Sequence, residues 1–234
     1  VDITATFEPF RRHYDWKVIA TGPGHGIQLA SGRLVVPIWL AYGEIGDHAP
    51  SAAATIYSDD HGKTWQAGDL AVPNTGVFKN PNETMLTALA DGRVMLVSRN
   101  DSEANRKIIT VSPDGVTGWS KPKFHDQLWE PVCMASIVAH PSKPGTQIYS
   151  NPHTLPRDAA GREIPGGRGK RQNLSIKLSR DDGRTWPITK TLEPGPSAYS
   201  DLAVLPDGTV LCLYEGDKKI VAARFNLDWL EAKP

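Results

Sequence analysis

The chain has 234 residues, a length that allows a single all-β domain with a sizeable core. Its 26 Lys and Arg balance 26 Asp and Glu with no block of like charge, which excludes the broad basic footprint of a nucleic-acid or anionic-membrane binder. No run approaches membrane-spanning length, and the first residues lack a charged start followed by an apolar stretch, so any secretion signal would lie upstream of Val1.

Val1 to Trp16 is mixed and polar. Trp16 to Ala20 reads as a strand ending at Gly22-Pro23-Gly24-His25-Gly26, a cluster that would suit a phosphate only if a helix followed; instead Ile27 to Leu29 starts a strand. Gly26–Leu29 and Leu34–Trp39 flank the turn Ser31-Gly32-Arg33, and Ala53–Tyr57 and Gln66–Leu70 complete a four-strand unit. The unit recurs at Thr84–Leu89, Val94–Ser98, Lys107–Val111 and Lys121 onward. It recurs again at Met134–Ala139, Thr146–Ser150 and Leu174–Leu178, after a Gly/Pro/Arg-rich loop from Asn151 to Lys170. A last unit, incomplete, holds Asp201–Leu205, Val210–Tyr214 and Ile220–Phe225.

Between the later strands of these units an octet repeats. Ser58 to Trp65 and Ser179 to Trp186 both fit Ser-x-Asp-x-Gly-x-Thr-Trp, and Ser112 to Trp119 is an eroded copy. Gly62 and Gly183 suit a left-handed turn position, the Asp and Ser oxygens can bind the turn's own amides, and the Trp is expected to be buried. The octets are structural; they describe repeated blades of a propeller and no chemistry. About four blades are legible, so the chain is expected to be one domain, residues 1–234, forming part of a larger ring.

In a propeller, loops entering the first strands share one face, where polar residues of different blades converge. Such positions are Glu83, Arg99, Arg171, Tyr199 and Glu215. Taken singly, each is also an ordinary turn, rim or surface residue. Cys133 and Cys212 lie in apolar runs and read as buried thiols; His25, His61, His125 and His153 show no metal-ligand spacing. Trp39 and Tyr42 fit either a pocket or the core. The sequons at Asn82, Asn100 and Asn173 sit beside the candidate positions and read as chance matches.

With these residues in place the chain resembles the Asp-box (BNR-repeat) exo-α-sialidases of glycoside hydrolase family 33. The resemblance rests on the octets, Gly22 to Pro37, Asn82-Glu83, Asp91 to Asn100, Glu130 to Ser136, Arg171 to Leu174 and Tyr199 to Leu202. Most specific are Glu83 with Arg99 sixteen residues on, and Arg171 with Tyr199 twenty-eight on.

The resemblance implies a six-bladed propeller, of which this chain covers the last four blades. It further implies removal of terminal α-linked sialic acids from sialylated glycans with retention, without a cofactor, in a secreted or periplasmic setting. By the same resemblance Tyr199 is the nucleophile, Glu83 its base, Arg99 and Arg171 two of three arginines on the substrate carboxylate, and Glu215 the acid that orients the first of the three. That first arginine, normally in an Arg-Ile-Pro motif, has no match, since Arg11-Arg12-His13 has the wrong context, and the general-acid Asp is also expected upstream. The isolated chain is therefore expected to be weak or inactive. The alternative expectation is a propeller that binds an acidic glycan without hydrolysing it.

Overall fold

The computed structural model describes residues 1–45 and 48–232 and is all-β, with one 3-10 helix at Thr4–Arg12 and one short α-helix. The first sheet holds β1 (Val18–Thr21), β2 (Ile27–Gln28), β3 (Leu34–Ile45), β4 (Ala49–Ser58) and β5 (Gln66–Val72). Both short strands, β1 and β2, pair with β3, so they act as one interrupted inner strand. The second sheet is an antiparallel meander of β6 (Thr84–Ala88), β7 (Val94–Ser98), β8 (Arg106–Ser112) and β9 (Lys123–Trp129).

The third sheet runs through β10 (Ser136–Ala139), β11 (Gln147–Pro152), β12 (Gln172–Ser179) and β13 (Ile188–Val204). Strand β13 has two jobs. Up to Pro196 it pairs with β12; from Ser197 it pairs with β14 (Val210–Gly216), to which β15 (Lys219–Phe225) adds, making a fourth, three-stranded unit. The expected hairpins are therefore present, but the sequence hid that one continuous strand carries the chain from the third unit into the fourth.

The units lie side by side through their first strands: β6 neighbours β2 and β3 on one side and β10 on the other, and β10 neighbours β13. Strand alternation explains the packing between them. On β7, Val94 and Leu96 face the first sheet with Val35 and Ala53, whereas Met95 and Val97 face the third with Ile137 and Tyr149. A strand buried on both faces reads as an unbroken apolar run, which Val94 to Val97 is. Phe7, Phe10, Tyr14 and Trp16 cover the outer face of the first sheet, an amphipathic use of the opening segment that its polar composition concealed. Leu213 and Ile220 stay exposed on the last unit, and helix α1 (Leu227–Glu231), capped by the Asn226 side chain, inserts Leu227 and Leu230 beside it.

All three octets fold alike. Ser58 Oγ accepts from the Gly62 amide (2.8 Å) and Asp60 accepts from the Thr64 amide and hydroxyl (2.9 and 2.7 Å); Ser179, Asp181, Gly183 and Thr185 repeat this within 0.1 Å. Gly62 and Gly183 have φ of +83° and +76°, the left-handed region where a Cβ is penalised. The eroded copy keeps the bonds from Gly115 to Ser112 and from Thr117 to Asp114. One expectation needs correction: Trp186 is buried, but Trp65 and Trp119 are only partly so, because each of those two lies at the edge of its cluster. The octets also tie neighbouring units: Asp182 accepts from the Ala90 amide at 2.9 Å, and Arg33 bridges Asp59 and Asp114.

Accepting from Thr64 and Ser58 holds the Asp60 carboxyl down at about 2, against 3.8 for a free aspartate. A depressed pKa contributes stability above the unfolded value that disappears as pH falls through the folded one. Asp60→Ala is therefore expected to lower the thermal midpoint by a few degrees at pH 7, with the gap from wild type closing between about pH 4 and pH 2. Circular dichroism melts across that range check it; a gap that persists at pH 2 contradicts the octet account.

Candidate active site

Strand register sets the first part of the site. Thr84 pairs with Ser98, and the ladder runs one step further: the Arg99 amide donates to the Glu83 carbonyl and the Asn82 amide to the Arg99 carbonyl, both at 3.0 Å. Residues directly opposite on an antiparallel pair project from the same face. This is the physical meaning of the sixteen-residue spacing. Arg99 Nη1 donates to Glu83 Oε2 at 2.6 Å, with both side chains 13% exposed.

Tyr199 arrives from the fourth unit, just past the point where β13 changes partner. Its hydroxyl donates to Glu83 Oε1 and accepts from Arg99 Nη1 at 3.1 Å. Its backbone amide donates to Glu215 Oε2 at 3.2 Å, across a second hairpin of sixteen residues. Arg171 precedes β12, its carbonyl accepting from the Ser197 amide at 3.0 Å, which brings its guanidinium carbon 5.3 Å from the Tyr199 ring centre. Arg171 Nη2 also donates to the Val132 carbonyl at 3.4 Å. The structure thus brings Glu83, Arg99, Arg171, Tyr199 and Glu215 together from three units of the fold.

Burial pushes the Tyr199 phenol up to about 12, and donation to Glu83 adds to the rise, while Arg99 and Arg171 pull it down. For Arg99, burial works against the charge, but the Glu83 carboxylate outweighs it and the guanidinium is held more firmly protonated than usual. The resting group is a neutral phenol with a carboxylate on its proton and a cation on its oxygen. Such an arrangement can release a nucleophilic oxygen while the departing proton stays within one hydrogen bond. An open cavity of about 310 Å³ adjoins it, lined by Pro23, Gly24, Met134, Tyr199, Asp201 and Glu215.

Other residues singled out in the sequence have structural roles. Trp39 is 5% exposed and Tyr42 packs on Tyr14 with ring centres 4.5 Å apart, so both serve the core. Asn82 and Asn100 are buried, their amide nitrogens donating to the Asn80 and Arg106 carbonyls at 2.9 Å, which leaves no room for a glycan. Cys133 and Cys212 are buried free thiols. The buried pair Lys107 and Glu130, next to Arg99, went unassigned in the sequence; a lysine on the core-facing phase of an apolar strand was the available signal.

The family model of the BNR repeat-like domain matches residues 2–212. The chain belongs to this BNR-repeat family. Its relatives include the Sialidase of Micromonospora viridifaciens, 35% identical over 216 residues, covering 92% of this chain and 31% of the relative. Mouse Sialidase-3 is 30% identical over 238 residues, covering 87% of this chain and 56% of its own length. Among solved structures, Hadza microbial sialidase Hz136 matches with a TM-score of 0.74 at 28% identity, covering 92% of this chain and 39% of that one. These relatives bear out the Asp-box sialidase resemblance read from the motifs. This BNR-repeat chain spans between about a third and somewhat over half of the relatives' length.

Proposed function

We propose that this chain forms the last four blades of a six-bladed exo-α-sialidase, in which Tyr199 attacks the anomeric carbon of a terminal sialic acid on a glycan. The observation that carries the reading is the hydrogen-bonded set of Glu83, Tyr199 and Arg99 with Arg171 over the Tyr199 ring. As the Tyr199 oxygen bonds to carbon, its proton passes to Glu83. The glycosidic oxygen leaves with a proton from a general acid that blades outside this sequence supply, and water then releases the sugar by the reverse path, with net retention.

A sialoside carries a carboxylate on the carbon under attack, so a carboxylate nucleophile would approach against like charge and a neutral phenol avoids most of that repulsion. With the phenol raised to about 12, the resting nucleophile is the neutral phenol, and Glu83 is placed to take its proton. Arg99 and Arg171 supply planar forks that pair with the substrate carboxylate, and Arg99 also stabilises negative charge growing on the Tyr199 oxygen. Glu215 anchors the Tyr199 backbone and stands ready to pair with a further arginine from the missing blades.

The test is release of a fluorogenic leaving group from an α-sialoside by this chain and by a polypeptide extended upstream. Turnover by the longer protein alone is the expected result. Turnover by the 234-residue chain contradicts the requirement for upstream blades. Binding of sialic acid by both with turnover by neither replaces the hydrolase with a glycan-binding propeller.

A further inference from the structure

Behind the two arginines lies a buried ion pair that the proposed chemistry does not use. The Lys107 and Glu130 side chains are 0% and 1% exposed, with Nζ 2.9 Å from Oε2. Lys107 is there by register, since it shares the phase of Ile109, which faces the third sheet. Glu130 spends both oxygens on backbone. Oε2 accepts from the amide of Asn100, the residue after Arg99, at 3.1 Å, and Oε1 accepts from the amide of Cys133 at 3.0 Å. Lys107 Nζ also donates to the Cys133 carbonyl.

Between Glu130 and Cys133 sits Val132 with φ of +62°. A β-branched residue in the left-handed region is a steric outlier that persists only where its surroundings enforce it. Here the enforcement is visible: Cys133 is gripped at its amide by Glu130 and at its carbonyl by Lys107. The result is that the Val132 carbonyl points to Arg171 Nη2 at 3.4 Å. One carboxylate therefore fixes the backbone from which Arg99 departs and the backbone that holds Arg171.

We infer that Glu130, with Lys107 as its counter-ion, is the positioning residue of the arginine pair that grips the substrate carboxylate; this rests on the reading of Arg99 and Arg171 given above. The residue type follows from the task. Accepting two amides and a lysine needs two acceptor oxygens, whereas glutamine offers one oxygen and a donor that would face an amide. Stability alone is a weak reason for a buried ion pair, because apolar replacements often do as well.

The experiment records the arginine Nε–Hε signals of the 234-residue chain by NMR, assigned with Arg171→Lys, in wild type, Glu130→Gln and Val132→Gly. N-acetylneuraminic acid binding is measured calorimetrically on the same samples. Lys107→Met/Glu130→Met removes both charges together and so tests the grip on Cys133 even where Glu130→Gln fails to fold, whereas glycine accepts the left-handed conformation without strain, so Val132→Gly should keep the carbonyl in place and is the control. The expected result in folded Glu130→Gln or Lys107→Met/Glu130→Met is a broadened, mobile Arg171 signal and an affinity lower by about tenfold or more, with Val132→Gly like wild type. An unchanged Arg171 signal in folded Glu130→Gln or Lys107→Met/Glu130→Met overturns the inference, as does unchanged affinity in them where wild type binds. If Arg171 loosens but wild type binds no sialic acid, the positioning role stands and the carboxylate reading falls.

Discussion

Tyr199→Phe, made in a polypeptide long enough to turn over an α-sialoside, is expected to reduce kcat by on the order of 10³-fold or more. The substitution removes one oxygen and nothing else. The Tyr199 ring packs against the cluster of Met85, Met134 and Tyr149, and those contacts survive, as does the Arg99 to Glu83 bond. Sialic acid binding should therefore change by only a few fold, because both arginines remain in place. Glu83→Gln keeps the shape of the site and removes the proton acceptor, at an expected cost of about 10²- to 10⁴-fold. The two changes interrupt one proton transfer, so the double variant should be scarcely slower than the worse single one; multiplicative losses would show that the residues act in different steps. Near-normal turnover by Tyr199→Phe sinks the nucleophile assignment outright.

Much of this architecture could be read from the residues because local chemistry and fold agree. Trp-ended octets encode their own hydrogen bonds, and hairpins such as Leu89 to Arg93 are set by Asp91-Gly92, whose glycine takes a φ of +86°. Glu83 and Arg99 were legible as a pair, and one hairpin fixes their register; the bond from the Tyr199 amide to Glu215 was not read in advance, although a hairpin of the same span sets it. What stayed hidden depends on contacts between distant segments. No local signal says that β13 serves two units, that Phe7 and Phe10 cover a sheet, or that Glu130 reaches both Asn100 and Cys133. Lys107 shows the difference: its strand was evident, but its partner lies twenty-three residues on, behind a turn that the sequence does not describe.

That same lysine gives the largest expected change in stability. Lys107→Met leaves the Glu130 carboxylate in a site closed to water with its counter-ion gone. Stranding one partner of a buried pair costs about 3–5 kcal/mol, which for a chain of this size lowers the melting midpoint by roughly 6–20 °C. Burial already pushes the Glu130 carboxyl above its ordinary range, and Lys107 is the main influence opposing that rise, so its loss raises the group further. An acid whose folded pKa exceeds its unfolded one contributes stability below the unfolded value and loses it as pH climbs through the folded value. The penalty of Lys107→Met should accordingly be small near pH 4 and grow towards pH 7, the same direction as that of Asp60→Ala but over a higher pH range. Lys107→Met/Glu130→Met, with no charge left to strand, should recover most of the lost stability at pH 7. Thermal melts of the three proteins at both pH values decide the matter: a penalty independent of pH, or a double variant no better than the single, would mean that packing around the lysine stem, and not the charge pair, holds this part of the core together.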